Sequence, residues 1–172
     1  MTMSRYLLVF FCALTVACGG APEPGADPAA EAPTGESTEA AAATEDGADF
    51  VIDLAVVEDA VLRIEGSGTL PDGARLSYEV KHDGFDVGDY DGYETGQIEF
   101  SGGTFSFEMS LADWPTGAAL IQLVFEMEPS GDPQPAAVID LYGADGARLT
   151  GPNVEEFGGR RTITVTGDAE IS

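Results

Sequence analysis

Hydrophobic and polar residues alternate along much of the chain from Phe50 onward, with the two-residue period of a half-buried β-strand. The alternation is clearest at residues 62–66, 75–80 and 104–109, and a more continuous apolar run at 120–127 suits a central strand. Further strands are predicted at residues 97–100, 137–142 and 161–166, with 50–57 as an N-terminal edge strand. No capped stripe of apolar residues at helical spacing follows residue 50, so the pattern predicts no helix there.

These segments amount to about seven or eight short strands over roughly 120 residues, which favours an all-β domain. We expect a single antiparallel immunoglobulin-like β-sandwich, with a small barrel or a transthyretin-like arrangement as the alternative. Residues 71–73 predict a turn, and the Ser-Gly-Gly sequence at 101–103 predicts a hairpin between the strands on either side. The alternation predicts a core of Leu62, Ile64, Leu76, Tyr78, Val80, Phe105, Phe107, Leu123 and Phe125.

A mostly apolar stretch at residues 6–17 follows Arg5, the only charged residue before residue 20. A basic start followed by an apolar run of this length is typical of a secretory signal peptide. The run is shorter than the about 20 apolar residues that a membrane-spanning helix needs. No later segment reaches that length without charges, so no transmembrane helix is expected.

Residues 14–18, with the sequence Leu-Thr-Val-Ala-Cys, resemble the lipobox of bacterial lipoproteins. The resemblance implies that the Cys18 thiol receives a diacylglyceryl group and that a peptidase cuts between Ala17 and Cys18. The mature protein would then be attached to a membrane through lipid on Cys18. Gly19 after the cysteine favours the outer membrane, on its periplasmic face or at the cell surface, by resemblance to Gram-negative sorting patterns. The alternative is an ordinary secretory signal that leaves Cys18 as a free thiol.

The segment after Cys18 has a different composition from the rest of the chain. Residues 19–49 contain no aromatic residue, no Val, Ile or Leu, and no Lys or Arg. Such a segment cannot bury enough apolar area to offset its chain entropy, so it is predicted to be a disordered, extended tether. We therefore divide the chain into a signal peptide (1–17), a lipid-anchored acidic linker rich in Ala, Pro and Glu (18–49) and a β-sandwich domain (50–172).

Two features of the composition narrow the possible partners. The only cysteines are Cys12 and Cys18, and Cys12 leaves with the signal peptide, so the domain is expected to contain no disulfide. Asp and Glu number 31 against 7 Lys and Arg, for a formal net charge of −24, so a nucleic-acid partner is not expected. Solubility or a salty medium accounts for this acidity, and a cation-binding role is the alternative.

Catalytic machinery is hard to find in the sequence. His82 is the only histidine and lies between Lys81 and Asp83, where a solvated loop position is predicted. No G-x-S-x-G nucleophile motif is present, and zinc would need several His or Cys ligands. We therefore predict no catalytic residues, no cofactor and no enzyme activity.

The acidic loop at residues 83–94 is the most suggestive segment, because Asp86, Asp89, Asp91 and Glu94 could supply oxygen ligands to Ca²⁺. The helix–loop–helix calcium signature fails here, since it would place Ile98 where the bidentate Glu belongs. A solvated loop is the favoured interpretation, and these four residues remain weak calcium candidates. A carboxylate pair for glycoside cleavage is a minor alternative, because so many acids produce such pairs by chance.

Aromatic residues in two predicted loops are candidates for recognition. Phe85, Tyr90 and Tyr93 could form a binding surface, since loops at the ends of sandwiches carry binding functions. Trp114 lies in a turn before the long apolar strand, where it is predicted to cap the core, with a partner contact as the alternative.

Residues 68–76, 103–107 and 146–154 resemble turn and loop motifs of a β-sandwich domain found in uncharacterised bacterial envelope proteins. The resemblance covers about residues 60–166 and implies a fold and an envelope setting, without site residues. We expect a lipid-anchored envelope protein whose sandwich is a binding or structural module for an unknown protein or glycan. The alternative is an envelope hydrolase that uses loop carboxylates, with or without calcium.

Overall fold

The computed structural model describes residues 47–172; the predicted signal peptide, Cys18 and most of the predicted linker lie outside the described residues. The described chain forms eight β-strands, one short 3-10 helix at Pro129–Gly131 and one α-helix. The strands are β1 (Phe50–Glu58), β2 (Val61–Gly68), β3 (Arg75–His82), β4 (Tyr93–Glu99), β5 (Thr104–Ser110), β6 (Gly117–Phe125), β7 (Val154–Phe157) and β8 (Arg160–Ile171), and the helix is α1 (Ala136–Tyr142).

The strands form two antiparallel sheets, one of three strands in the order β1-β2-β5 and one of five in the order β4-β3-β6-β8-β7. The order matches the immunoglobulin-like arrangement in which strands A, B and E face strands C′, C, F and G, with β7 added beside the last of these. The predicted all-β sandwich is confirmed, and so is the N-terminal edge strand, because β1 pairs only with β2.

The core lies between the two sheets and follows the predicted alternation. Leu62 and Ile64 from β2 and Leu123 and Phe125 from β6 are fully buried. The predicted core is confirmed except for two aromatic residues that are only half-buried. These are Tyr78 and Phe107, whose rings stack on each other with centroids 4.6 Å apart and so join the two sheets.

Two glycines allow aromatic rings to lie flat across neighbouring strands. Gly66 in β2 is paired with Phe105 in β5, and a Cβ atom at Gly66 would overlap the Phe105 ring and the Val51 carbonyl oxygen. In the other sheet Gly96 is paired with Tyr78, whose Oη atom would lie 2.6 Å from a Cβ atom there. A ring covering a glycine replaces the missing side chain and fixes the register of the pair.

The strand predicted at residues 137–142 is wrong, because this segment is the helix α1 (Ala136–Tyr142). Its buried residues, Val138 and Tyr142, are four positions apart and so lie on one helix face. Pro135 precedes the helix with its φ already fixed, and Gly143 ends it at a φ of 85°. A short apolar run is compatible with the two-residue period of a strand and with the 3.6-residue period of a helix. The flanking Pro135 and Gly143 are therefore the residues that indicate a helix here.

The hairpin predicted at residues 101–103 is also wrong. Ser101 and Thr104 exchange backbone hydrogen bonds of 2.8 and 3.1 Å, so the tight turn is present. However, β4 pairs with β3 and β5 pairs with β2, so the turn carries the chain from one sheet to the other. The glycines set the local turn, whereas packing of the two sheets decides which strands pair.

The first described residues belong to the sandwich rather than to a free linker. Ala48 is buried, and its backbone N–H donates to the Thr150 carbonyl at 2.6 Å. The Asp49 N–H donates to Thr69 Oγ1 at 2.9 Å, and Asn153 Nδ2 donates to Asp49 Oδ1 at 2.8 Å. Within residues 47–172, neither the α-helix nor the 3-10 helix is long enough to cross a bilayer.

Replacing Gly66 by Ala should lower the free energy of unfolding by about 1–3 kcal/mol, because the new methyl group has to displace the Phe105 ring or the β1 backbone. The measurement is urea denaturation followed by tryptophan fluorescence. Gly167→Ala is the matched control, since its new methyl group meets only the end of the Ile52 side chain, at 3.2 Å. Equal stability of the two variants would contradict the packing described for Gly66.

Candidate binding cleft

In the five-stranded sheet, apolar side chains that face the core alternate with polar side chains that face outward. The outer face of this sheet is therefore mostly polar. In β3, Leu76 and Val80 point into the core, so Ser77, Glu79 and Lys81 face outward. In β6 the buried residues likewise alternate with outward-facing ones, among them Gln122. Because β3 and β6 pair with Glu79 opposite Gln122, these two side chains lie side by side at the centre of the face.

Two adjoining hollows lie on this face, with volumes of 340 and 410 Å³. Both include Glu79 and Gln122 in their lining, so they meet at that pair. The first is also lined by Ser77, Thr95, Glu126 and Ser130, and the second by Lys81, Leu120, Thr166 and Asp168. We call the two hollows together the outer-face cleft. Volumes of this size are in the range of small-ligand sites.

An aromatic pair lies beside the cleft at one end. The rings of Phe85 and Tyr93 stack with centroids 5.1 Å apart, and the Tyr93 side chain remains 42% exposed. Tyr93 Oη donates a hydrogen bond to Glu79 Oε2 at 2.9 Å, which ties the ring to the cleft floor. Lys81 Nζ pairs with Asp86 Oδ2 at 2.7 Å and holds the 83–92 loop against the same end.

A buried amide fixes the other end of the cleft. Gln134 is only 3% exposed; its Oε1 accepts from the Arg75 N–H at 2.9 Å, and its Nε2 donates to the carbonyls of Arg75 and Glu126, both at 2.7 Å. These bonds tie the segment after β6 to the start of β3. Gln97 Nε2 adds a bond of 2.8 Å to the Pro129 carbonyl. Glu126 and Ser130, which line the first hollow, are therefore held in place by contacts that the sequence analysis missed.

Negative charge dominates the cleft. Glu79, Glu126 and Asp168 contribute carboxylates, whereas Lys81, its one basic lining residue, is paired with Asp86. The hydrogen bond from Lys81 to Asp86 raises the pKa of the Lys81 ammonium group, so this group keeps its positive charge at neutral pH. The hydrogen bond from Tyr93 to Glu79 raises the pKa of the Tyr93 phenol, because that carboxylate would repel a phenolate.

The four calcium candidates are not gathered into one site. Asp86 is engaged by Lys81, and Asp89, Asp91 and Glu94 are exposed. Among residues 47–172, no group of three or more His, Cys, Asp or Glu side chains is placed to hold a metal ion. The loop brings these acids close in sequence without converging their oxygens on one point.

The prediction of a solvated His82 is wrong. His82 is the last residue of β3 and is 6% exposed, since it continues the inward-facing series of Leu76, Tyr78 and Val80. Its Nδ1 accepts from the Gly84 N–H at 2.9 Å and lies 3.0 Å from Asp83 Oδ1. Its Nε2 is buried and has no hydrogen-bond partner among the described residues. The two-residue alternation of β3, extended to residue 82, is the sequence signal that would have predicted a buried position for His82.

The predicted loop aromatics divide into two groups. Phe85 and Tyr93 border the cleft, whereas Tyr90 packs edge-on against His82 and Trp114, with centroids 5.2 and 6.2 Å away. Tyr90 Oη also donates to the Asp113 carbonyl at 2.7 Å. Trp114 is partly buried against the core, which confirms the predicted cap. The His82, Tyr90 and Trp114 cluster therefore closes one end of the sandwich, and the aromatic surface available to a ligand is that of Phe85 and Tyr93.

No protein-family model matches the chain, and no curated protein matches its sequence. The assignment of a function therefore depends on the residues of the chain and on the chemistry of the outer-face cleft.

Replacing Glu79 by Gln should lower the pKa of Tyr93 toward its ordinary value of 10.0, because the hydrogen-bonded carboxylate is the largest contribution that raises it. The measurement is an NMR titration of tyrosine labelled at Cζ, in which Tyr93 is assigned from Tyr93→Phe. The control is Glu94→Gln, which removes a neighbouring carboxylate that makes no hydrogen bond to the phenol. A Tyr93 titration that is the same in the parent and in Glu79→Gln would contradict the described bond.

Proposed function

We propose that this protein is a lipid-anchored module of the bacterial cell envelope that binds a ligand through the outer-face cleft of its β-sandwich. The anchor is supported by the apolar N-terminal stretch and by the lipobox-like residues that end at Cys18. The acidic segment after Cys18 is proposed to act as a tether that holds the sandwich away from an anionic membrane surface. Gly19 supports the outer membrane as the site of attachment.

The pair of hollows that meet at Glu79 and Gln122 is the observation that carries the binding role. A solvated sheet face needs only polar side chains and no concavity. Here polar side chains instead converge on a concavity, and buried Gln134 and the Tyr93–Glu79 bond fix its two ends. Ligand sites are usually pre-formed concavities in which a few placed polar groups stand among apolar ones, and here Leu120, Ile121 and Val124 supply apolar lining.

The anchor is tested by Cys18→Ala, with Cys12→Ala as the matched control because Cys12 lies outside the lipobox-like residues. Cys18→Ala is expected to abolish the acyl mass on the N-terminal peptide and to move the protein out of the detergent phase. Cys12→Ala should keep both properties. Mass spectrometry of the mature N-terminus decides the result, and an unmodified thiol at Cys18 in the parent protein would refute the anchor.

The binding role is tested in intact cells with a photo-reactive amino acid. Placed at Thr95, on the cleft floor, it should give a covalent adduct to envelope material on irradiation. Placed at Glu65, which is exposed on the outer face of the three-stranded sheet, it should give none. Adduct formation at Thr95 should fall when Gln122→Ala is added. Equal labelling from both positions, or none at Thr95, would refute a binding role for the cleft.

A further inference from the structure

We infer that the ligand of the outer-face cleft is an oligosaccharide that carries free amino groups. The inference rests on the proposed function and names the chemical class of its ligand. Three properties of the cleft support this inference. They are the hydrogen-bonding groups of its floor, its carboxylates that form no ion pair, and the aromatic ring beside it.

The floor offers groups that both donate and accept hydrogen bonds. Ser77, Thr95 and Thr166 bear hydroxyl groups, and Gln122 bears an amide. Ser77 Oγ makes only long contacts, 3.4 Å to the Val124 carbonyl and 3.5 Å to Glu126 Oε1, which a ligand can replace at little cost. Sugar hydroxyl groups also donate and accept, so a row of such side chains across neighbouring strands suits a chain of sugar units.

The carboxylates of the cleft form no direct ion pair among the described residues, although the Lys81 ammonium group interacts with Glu79 at longer range. The ion pairs of the described residues join Lys81 to Asp86 and three arginines to Glu108, Glu128 and Glu156. None of these pairs includes Glu79, Glu126 or Asp168. A ligand that brings ammonium groups would therefore form charge-assisted hydrogen bonds with them. A ligand with carboxylate or sulfate groups would be repelled, and the net charge of −24 strengthens both effects at a distance.

The ring of Tyr93 provides a flat apolar surface beside these carboxylates. Phe85 stacks against it and Glu79 holds its hydroxyl group, so the ring is oriented before any ligand arrives. An oriented, partly exposed aromatic ring is suited to the C–H face of a sugar ring and attracts a neighbouring ammonium group.

A protein partner fits the cleft less well. Cores of protein interfaces are apolar and rich in aromatic residues. The exposed large apolar residues Val51, Leu54, Val87 and Phe157 line neither hollow. Leu120, Ile121 and Val124 do line the cleft, but none of them is among the exposed large apolar residues that could act as an interface anchor.

The test is calorimetric titration of the parent protein with three oligosaccharides of equal length. A glucosamine oligomer is expected to bind, its N-acetylated form about tenfold more weakly or worse, and a galacturonate oligomer not at all. Asp168→Asn and Gln122→Ala should each weaken glucosamine binding by about tenfold. Glu65→Gln, which makes the same change from carboxylate to amide on the other sheet, should leave it unchanged. NMR spectra of each variant verify the fold.

A short lysine oligomer of equal charge separates sugar recognition from simple cation binding. If it binds as tightly as the glucosamine oligomer and is lost in the same variants, the cleft selects charge alone and the inference is wrong. Absence of glucosamine binding to the folded parent protein also overturns it. The photo-crosslinking experiment at Thr95 distinguishes failure of this inference from failure of the proposed function. An adduct at Thr95 in a protein that does not bind the glucosamine oligomer would refute the amino-sugar ligand and still support a binding role for the cleft.

Discussion

The structure depends on the contact between the inner faces of its two sheets, because no covalent cross-link is available to replace it. Residues 47–172 contain no cysteine, so sheet-to-sheet packing has to supply the stability that a disulfide gives in many small secreted domains. Phe50, Phe100 and Phe125 are fully buried, and each such side chain contributes about 1.5–3 kcal/mol relative to an exposed one. The stacked Tyr78 and Phe107 rings add a further contact between the two sheets.

The alternation of apolar residues carries most of the information about this fold. It predicted the strands that became β2, β3 and β5, because in a two-sheet sandwich one face of each strand is buried and the other is solvated, while a more continuous apolar run predicted β6. The same alternation, extended to residue 82, predicts that His82 is buried. The rule failed at α1, because seven residues are too few to separate the period of a strand from that of a helix, and the boundary residues Pro135 and Gly143 indicate the helix. It also could not reveal that the turn at 101–103 joins two sheets, since strand pairing depends on the whole core.

The cleft could not be predicted in the same way. Most of its lining residues read in sequence as ordinary solvent-facing positions of four separate strands, and only the register of β3 against β6 places Glu79 beside Gln122. Gln134 contacts Arg75 across 59 positions, a pairing that local sequence does not encode. The acidic loop shows the converse, because Asp86, Asp89 and Asp91 are close in sequence and yet do not converge in space. Proximity along the chain was thus a poor guide to both the cleft and the calcium candidates.

The place of β8 in its sheet has a consequence for how the domain is made. This strand, Arg160–Ile171, is the last of the sandwich along the chain, yet it lies between β6 and β7 rather than at an edge. Because β8 follows β6 along the chain, β6 has one side of its backbone unpaired until β8 is in place. Such a topology, dominated by contacts between distant parts of the chain, is among the slower ones to fold. The sandwich therefore closes only after its final strand is available, which leaves an interval in which a holding chaperone has a clear substrate.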